Sequence, residues 1–283
     1  MKKITFTFLL AGIFCLISCT TDLTDAFESG FESEPVLNMV LQPGEVAEAS
    51  LSRSYSIMGI EDTLQDVQAV VYLVIDDSMM RELVYQRDQT YSVLDSTQVI
   101  EHGMSIQTFA LTGDGDSLWA PAIEIPSPFG NLTQRSQASD TQENFRRFEA
   151  NWRNTSSFYR VTIRYWYEGE STQGENLGFH TNEPEDLQAC PNCEIGLEGD
   201  VHSFQVSLNT RFFDVPTQAF QIADSMSFDL TVLTEAMYRF EQASSGFDGF
   251  ESLFLYPQSP YSNVEGGWGI VGAAHDTTFT ASW

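Results

Sequence analysis

Residues 158–167 read FYRVTIRYWY, and they carry the clearest secondary-structure signal in the chain. Apolar or aromatic side chains occupy every odd position of this stretch, whereas Arg160, Thr162 and Arg164 lie between them. Alternation with a period of two over ten residues predicts a strand that is buried on one face. The stretch therefore indicates that the protein is built on β-sheets.

Similar but shorter segments recur on both sides of this stretch. They are rich in apolar and β-branched residues, they lie about ten residues apart, and turn signals such as Asp76-Asp77-Ser78 separate them. The segments are 67–74, 82–86, 91–94, 105–111, 117–125, 202–209, 226–232 and 269–282. This spacing predicts an antiparallel sandwich, so we expect an immunoglobulin-like or prealbumin-like β-sandwich domain over residues 35–126.

The second half of the chain is predicted to form a separate domain. Residues 127–141, SPFGNLTQRSQASDT, are polar and contain proline, glycine and several serines, which predicts a linker. Residues 142–283 are predicted to form a β-rich C-terminal domain with one short helix over 235–242, capped by Thr234. The sequence thus predicts a mostly β, all-β fold class.

The first residues have the layout of a signal peptide. Lys2 and Lys3 precede the apolar run 4–17, which is shorter than the roughly 20 residues of a membrane-spanning helix. The run closes on Leu16-Ile17-Ser18-Cys19, which resembles a bacterial lipoprotein signal cleaved before Cys19. We therefore predict a signal peptide over 1–18, acyl chains such as palmitate on Cys19, and a flexible acidic tether over 19–34. The alternative is an ordinary signal peptide with a chance cysteine.

Charge excludes one class of partner. The chain has 13 basic and 40 acidic residues, a formal net charge of −27, and Lys2 and Lys3 are its only lysines. Such a surface repels nucleic acid and anionic lipid headgroups. Three interpretations of the acidity stay open: a solvated acidic coat, cation binding, and adaptation to high salt.

Two cysteines are left once Cys15 is cleaved away and Cys19 is acylated. They are Cys190 and Cys193, and outside the cytoplasm a pair with this spacing predicts a disulfide. The alternatives are a zinc site completed by His180 and His202, and a redox-active pair. Because the spacings match no zinc module, we predict no metal.

Other motifs do not indicate catalysis. Residues 267–272, GWGIVG, fit a dinucleotide fingerprint, but no strand precedes them, too few residues follow, and a glycine-rich turn into a final strand explains them better. Asp114-Gly115-Asp116-Ser117 predicts a hairpin turn rather than a calcium loop. No hydrolase signature is present, so the sequence predicts a protein that is not an enzyme and uses no cofactor or nucleotide.

Several stretches together resemble a family of Bacteroidota lipoproteins that carry the domain of unknown function 4249. The matching stretches occur in the family's order and are Ser50–Ser54, Val67–Val71, Leu118–Pro126, Phe158–Val161 and Pro257–Gly272. The resemblance covers most of residues 35–272. It implies a lipoprotein of the cell outer membrane, associated with a TonB-dependent receptor or its substrate-binding lipoprotein.

The resemblance implies no catalytic residues, because the family has none established. We expect a non-enzymatic accessory or binding module for nutrient uptake, held to the membrane by its N-terminal lipid. A structural or adhesive cell-surface lipoprotein is the second hypothesis, and an exported hydrolase is the third. Aromatic side chains near Trp166, Tyr167 or Trp268 have two interpretations, core packing and stacking on sugars.

Overall fold

The computed structural model describes the chain in eleven stretches. They are residues 33–54, 68–94, 99–138, 144–153, 158–168, 170–171, 175–181, 193–198, 201–214, 219–245 and 261–282. Pro35–Ser52 and Asp66–Trp283 form one compact unit. In the other unit, Met1–Glu34 with Arg53–Gln65, the Ser33 hydroxyl donates to the Ser54 carbonyl at 2.7 Å.

Seven strands precede residue 127 in the part of the chain that the structure describes. They are β1 Pro35–Leu41, β2 Glu48–Arg53, β3 Ala69–Ile75, β4 Met79–Arg87, β5 Thr90–Ser92, β6 Ser105–Thr112 and β7 Ser117–Glu124.

Eleven further strands and one helix follow among the described residues. They are β8 Gly130–Ala138, β9 Phe145–Arg153, β10 Phe158–Tyr167, β11 Glu170–Ser171, β12 Glu175–Thr181, β13 Cys193–Glu198, β14 Val201–Asn209, β15 Arg211–Asp214, β16 Ala219–Ile222, β17 Ser225–Leu233, helix α1 Glu235–Ser245 and β18 Trp268–Ser282.

The first half of the chain closes around one core. Its strands lie in the order β18-β1-β2-β5-β4-β3-β6-β7, and at the far edge Trp119 of β7 forms a bridge with Glu265, just before β18 begins. Because successive side chains of a strand point to opposite faces, one face of each strand supplies the core. The core residues include Leu37, Leu73 and Leu118, each at most 1 % exposed.

The second half forms a sandwich. A four-stranded sheet, β13-β14-β9-β8, packs through Phe148 and Phe204 against the inner face of β10 and β17. On that face, Val161 and Phe228 are at most 1 % exposed. The odd positions from Tyr159 to Tyr165 thus lie in the core, as the alternation predicts, whereas Tyr167 at the end of the strand is only partly buried.

Strand β18 belongs to both halves. Residues 268–273 pair in parallel with β1, and residues 274–282 pair in antiparallel fashion with β17. Val271 and Ala273 therefore lie in the first core, whereas Phe279 packs against the second. The final strand joins the two halves into one sheet.

The glycine motif is the turn that leads into this strand. Gly266 and Gly269 have φ values of 82° and 126°, which side-chain-bearing residues rarely adopt. A Cβ on Gly269 would lie 1.9 Å from the carbonyl oxygen of Leu37, and one on Gly272 would lie 2.4 Å from the side chain of Met237 in α1. The interpretation as a glycine-rich turn into a final strand is confirmed.

The all-β fold class with one short helix is confirmed; the immunoglobulin-like or prealbumin-like type of the sandwich stays a prediction. Residues 127–141 differ from the linker that we expected, because Gly130–Ala138 forms β8 and pairs with β9. The polar composition misled because β8 is an edge strand with mostly exposed side chains. The division into domains at 35–126 and 142–283 stays a prediction.

Within the described residues, no helix is both long and apolar enough to cross a bilayer.

Candidate functional site

A cleft of about 470 Å³ opens where the end of β7 meets the start of α1. Residues 121–127 form one wall, residues 233–236 form the opposite wall, and the side chains of Phe158, Tyr261 and Asn263 complete the lining. Ligand pockets for small molecules commonly have volumes of 300–1,000 Å³, with a largely apolar lining and a few polar groups. In size and composition the cleft fits that description.

Two polar residues of the cleft hold its floor together. The Asn263 amide donates to the carbonyl of Val271 at 2.8 Å and accepts from the Val271 N–H at 2.9 Å. The Thr234 hydroxyl accepts from the N–H of Ala273 at 3.0 Å. These bonds satisfy an edge of β18 that β17 does not cover, since β17 pairs only from Ala274 onward. The Thr234 side chain, which we expected to cap the helix, is thus bonded to a strand.

Two exposed carboxylates belong to the lining of the cleft. They are Glu124 and Glu235, and Glu235 forms an ion pair with Arg239 one turn along α1. Phe158 and Tyr261 supply aromatic surface, and Phe158 packs against Tyr238 of the helix at 4.9 Å between ring centroids. The lining thus combines carboxylates with aromatic and aliphatic side chains.

A pair of histidines supports one wall from outside. The Nδ1 atom of His102 lies 2.6 Å from the carbonyl oxygen of Pro126, so this nitrogen carries the proton and donates. The ring of His102 meets the ring of His275 edge-on, at 4.7 Å between centroids. Burial lowers the pKa of His275, and His102 lowers it further, while Asp276 acts in the opposite sense. His275 is therefore biased towards its neutral form.

An ionic network ties α1 to the sheet. Arg160 of β10 donates to Glu241 of the helix at 2.6 Å and to the hydroxyl of Thr231 at 3.3 Å. The Thr231 hydroxyl in turn donates to Asp276 at 2.5 Å. Burial raises the pKa of the Glu241 carboxyl, and the Arg160 guanidinium opposes that rise. The network fixes the helix whose first residues form the second wall of the cleft.

A second ion pair lies further along the same face of the sheet. Arg164 pairs with Asp229, which also accepts a hydrogen bond from Thr278 at 2.5 Å. Trp166 donates its indole N–H to Ser227 at 2.9 Å. These contacts link β10, β17 and β18 and are structural.

His202 lies in the second core. Its imidazole stacks on Trp152 at 5.7 Å between centroids, and its Nε2 atom lies 3.3 Å from the hydroxyl of Tyr159. Burial lowers the pKa of His202 and raises the pKa of Tyr159 to about 12. This environment is that of a neutral core histidine.

The other residues singled out in the sequence are not brought to the cleft. Cys193 is the first residue of β13, and His180 lies in β12 opposite Tyr159. Cys19 and Cys190 lie outside the described residues, so lipidation and the disulfide stay predictions. Among the stretches that the structure describes, no cluster of three or more histidine, cysteine or acidic side chains is arranged to hold a metal ion.

Sequence reasoning missed most of the cleft. Its lining comes from segments more than a hundred residues apart, such as Pro126 and Asn263. The bridge between Trp119 and Glu265 and the pairing of β1 with β18 bring these segments together. Asn263 lies within the stretch that resembles the lipoprotein family, but nothing in that stretch indicates that the Asn263 amide bonds to the edge of a strand.

Comparison with known proteins assigns the chain to no family, since no family model and no curated protein matches it.

Proposed function

We propose that the chain is an outer-membrane lipoprotein that acts as a non-enzymatic accessory or binding module in TonB-dependent nutrient uptake. The lipid on Cys19 anchors it, and it belongs with the lipoproteins that carry the domain of unknown function 4249. Its partner is a TonB-dependent receptor or the substrate-binding lipoprotein of that receptor. The signal-peptide layout and the ordered family-like stretches support the location.

The cleft is the observation that carries the binding role. Phe158 and Tyr261 in its lining offer apolar surface to a small molecule, while the carboxylates Glu124 and Glu235 offer hydrogen-bond acceptors. The bonds of Asn263 and Thr234 to β18 hold the floor of the cleft before any ligand arrives. A preformed site loses little conformational entropy on binding, which favours affinity.

Native mass spectrometry of the full chain, extracted from membranes without denaturant, tests this role. Ala122 is exposed and lines the cleft, so Ala122→Trp fills the cleft without altering the core. Ala138 is exposed on the edge strand β8, and Ala138→Trp is the matched control. We expect a bound small molecule on the wild type and on the control but not on Ala122→Trp. If each of the three proteins has only the mass of its own lipidated chain, with no ligand bound, binding in the cleft is contradicted.

An exported hydrolase, the third hypothesis, is the alternative that the cleft bears on, because the carboxylates Glu124 and Glu235 both line it. Glycosidases use a pair of carboxylates on either side of the bond that they cleave. If the protein released reducing sugar from a polysaccharide and Glu124→Gln abolished that release, hydrolysis would replace binding as the proposed function.

A further inference from the structure

A single row of side chains crosses the sheet of the first half. Tyr72 of β3 is the register partner of Glu82 in β4 on one side and of Phe109 in β6 on the other. Phe109 is the partner of Trp119 in β7, and Trp119 bridges to Glu265. Five residues from five segments therefore lie side by side, with three aromatic residues between two carboxylates.

The row lies on the outer face of the sheet. The neighbours of Tyr72 and Trp119 along their strands, such as Leu73 and Leu118, are buried in the first core, so alternation directs the row away from it. Phe109 is 43 % exposed, and Tyr72 and Trp119 are half-buried. Side chains directly opposite one another on adjacent strands point to the same face. Three aromatic side chains thus reach solvent along one line.

This exposure needs an explanation beyond packing. Leu111 on β6 and Met80 on β4 flank the row, and they are 53 % and 67 % exposed. Contiguous apolar surface of this kind on a folded protein marks an interaction site. Isolated exposed aromatics need no such account, but three in consecutive register positions do.

We propose that the row from Glu82 to Glu265 binds a neutral, extended β-linked glycan chain. Adjacent strands lie about 4.8 Å apart, so Tyr72 and Trp119 are about 10 Å apart across Phe109. That spacing is comparable to the length of a disaccharide unit in an extended β-1,4-linked chain. Sugar rings present C–H bonds on both faces, and the negative face of an aromatic ring attracts those bonds.

Charge selects a neutral ligand. The chain has a net charge of −27, and exposed carboxylates, Glu82 and Glu265, end the row on both sides. An anionic glycan or a nucleic acid would be repelled along the whole row. The hydroxyl groups of a neutral sugar, in contrast, donate hydrogen bonds to carboxylates, and such charge-assisted bonds are strong.

The same charges disfavour a second copy of the chain as the occupant. Two rows packed face to face would bring the carboxylates of one copy close to those of the other, in a protein that already has a large net negative charge. Like charges that are brought together in an interface cost affinity. The glycan proposal does not depend on ligand binding in the cleft or on a receptor partner. The glycan proposal and the proposed function can therefore fail independently of each other.

Calorimetric titration of the full lipidated chain tests the proposal, in a detergent whose headgroup is not a sugar. The neutral probes are cellohexaose and β-1,4-mannohexaose, and the anionic probe is the hexamer of β-1,4-mannuronic acid, which has the linkage of the second probe. We expect a neutral hexasaccharide to bind with an affinity that changes little with NaCl, and the anionic hexamer not to bind. Failure of both neutral probes, or equal affinity for the anionic one, would overturn the proposal.

Substitutions then separate stacking from general apolar contact. Phe109→Ala and Trp119→Ala should each weaken binding about tenfold, and Trp119→Phe should retain most of it. Leu111→Ala, at the flank of the row, should weaken binding much less than Phe109→Ala does, because an aliphatic side chain offers no ring face for stacking. Unfolding midpoints near that of the wild type show that the variants are folded. Equal loss in Leu111→Ala and Phe109→Ala, or a dimer in sedimentation that Phe109→Ala dissociates, would contradict glycan stacking.

Discussion

Asn263 pairs with Val271 as a neighbouring strand would. Its side-chain amide donates to the Val271 carbonyl at 2.8 Å and accepts from the Val271 N–H at 2.9 Å. Val271 is fully buried, so both of its backbone groups would lose a partner in an Asn263→Ala variant. A single side chain thus completes the sheet at the floor of the cleft.

We predict that Asn263→Ala lowers the free energy of unfolding by about 1–3 kcal/mol, measured by urea titration. Asn263→Asp should cost more at pH 7, because a carboxylate oxygen then faces the Val271 carbonyl, and acidification should restore part of the loss. Gln137→Ala, at an exposed position of β8, is the control and should change little. A loss in Asn263→Ala no larger than in this control would show that the amide is dispensable.

Substitutions at two glycines with positive φ distinguish the cost of backbone strain from the cost of a steric clash. A Cβ on Gly103 meets no atom within 4 Å, whereas a Cβ on Gly269 lies 1.9 Å from the carbonyl oxygen of Leu37. Gly103→Ala should therefore cost about 1 kcal/mol from strain alone. Gly269→Ala should cost about 3 kcal/mol or more, because β18 must also move away from β1. Similar unfolding free energies for the two variants would argue against the close approach.

His202 makes stability depend on pH. Burial lowers the pKa of His202 in the folded protein below the ordinary histidine value of 6.5, so the unfolded chain binds the extra proton first as the pH falls. The contribution of neutral His202 to the free energy of unfolding is therefore fully present above pH 6.5. It is lost as the pH falls from 6.5 towards the lower pKa that His202 has in the folded protein. Urea titrations between pH 5 and 8 should show this loss in the wild type and a smaller one in His202→Gln. An unchanged slope would mean that His202 is not a buried neutral group.

The same linkage applies to His275, whose pKa is also lowered by burial. His275→Gln should make the acid slope shallower as well, and the variant with both substitutions should have the weakest dependence on pH. His202 lies in the four-stranded sheet and His275 in the large sheet, so we expect their effects to add.

The cysteines can be counted chemically. If Cys19 is acylated and Cys190 is joined to Cys193, the unfolded mature chain has no free thiol before reduction and two after it. Thiol titration in denaturant measures both numbers. Two free thiols before reduction would exclude the disulfide, and three would exclude the lipid as well.

Local sequence patterns predicted those strands and helices whose residues have a clear hydrophobic period of their own. Strand β10 spans the residues 158–167 that the alternation marked, and α1 begins at Glu235 as expected. Strand β8 was missed because an edge strand with polar side chains on both faces has no period-two signal. Composition alone does not separate such a strand from a loop.

The sites could not be predicted, because they depend on register and on long-range pairing. Tyr72, Phe109 and Trp119 lie on three strands, and a shift of one residue in any of them would take that aromatic side chain off the row. The bond between Thr234 and Ala273 likewise requires β17 to pair with β18, although α1 lies between these strands in the sequence. The pairing of distant strands has no signature in a single segment.

Co-purification from outer membranes tests the central claim most directly. The lipidated full chain, cross-linked in cells that produce it and captured through a tag at its C-terminus, should carry a TonB-dependent receptor that mass spectrometry identifies. Cys19→Ala, which removes the lipid, should release the chain from the membrane fraction and lose the receptor. Capture of the membrane-anchored chain without any such receptor would contradict the proposed role in uptake.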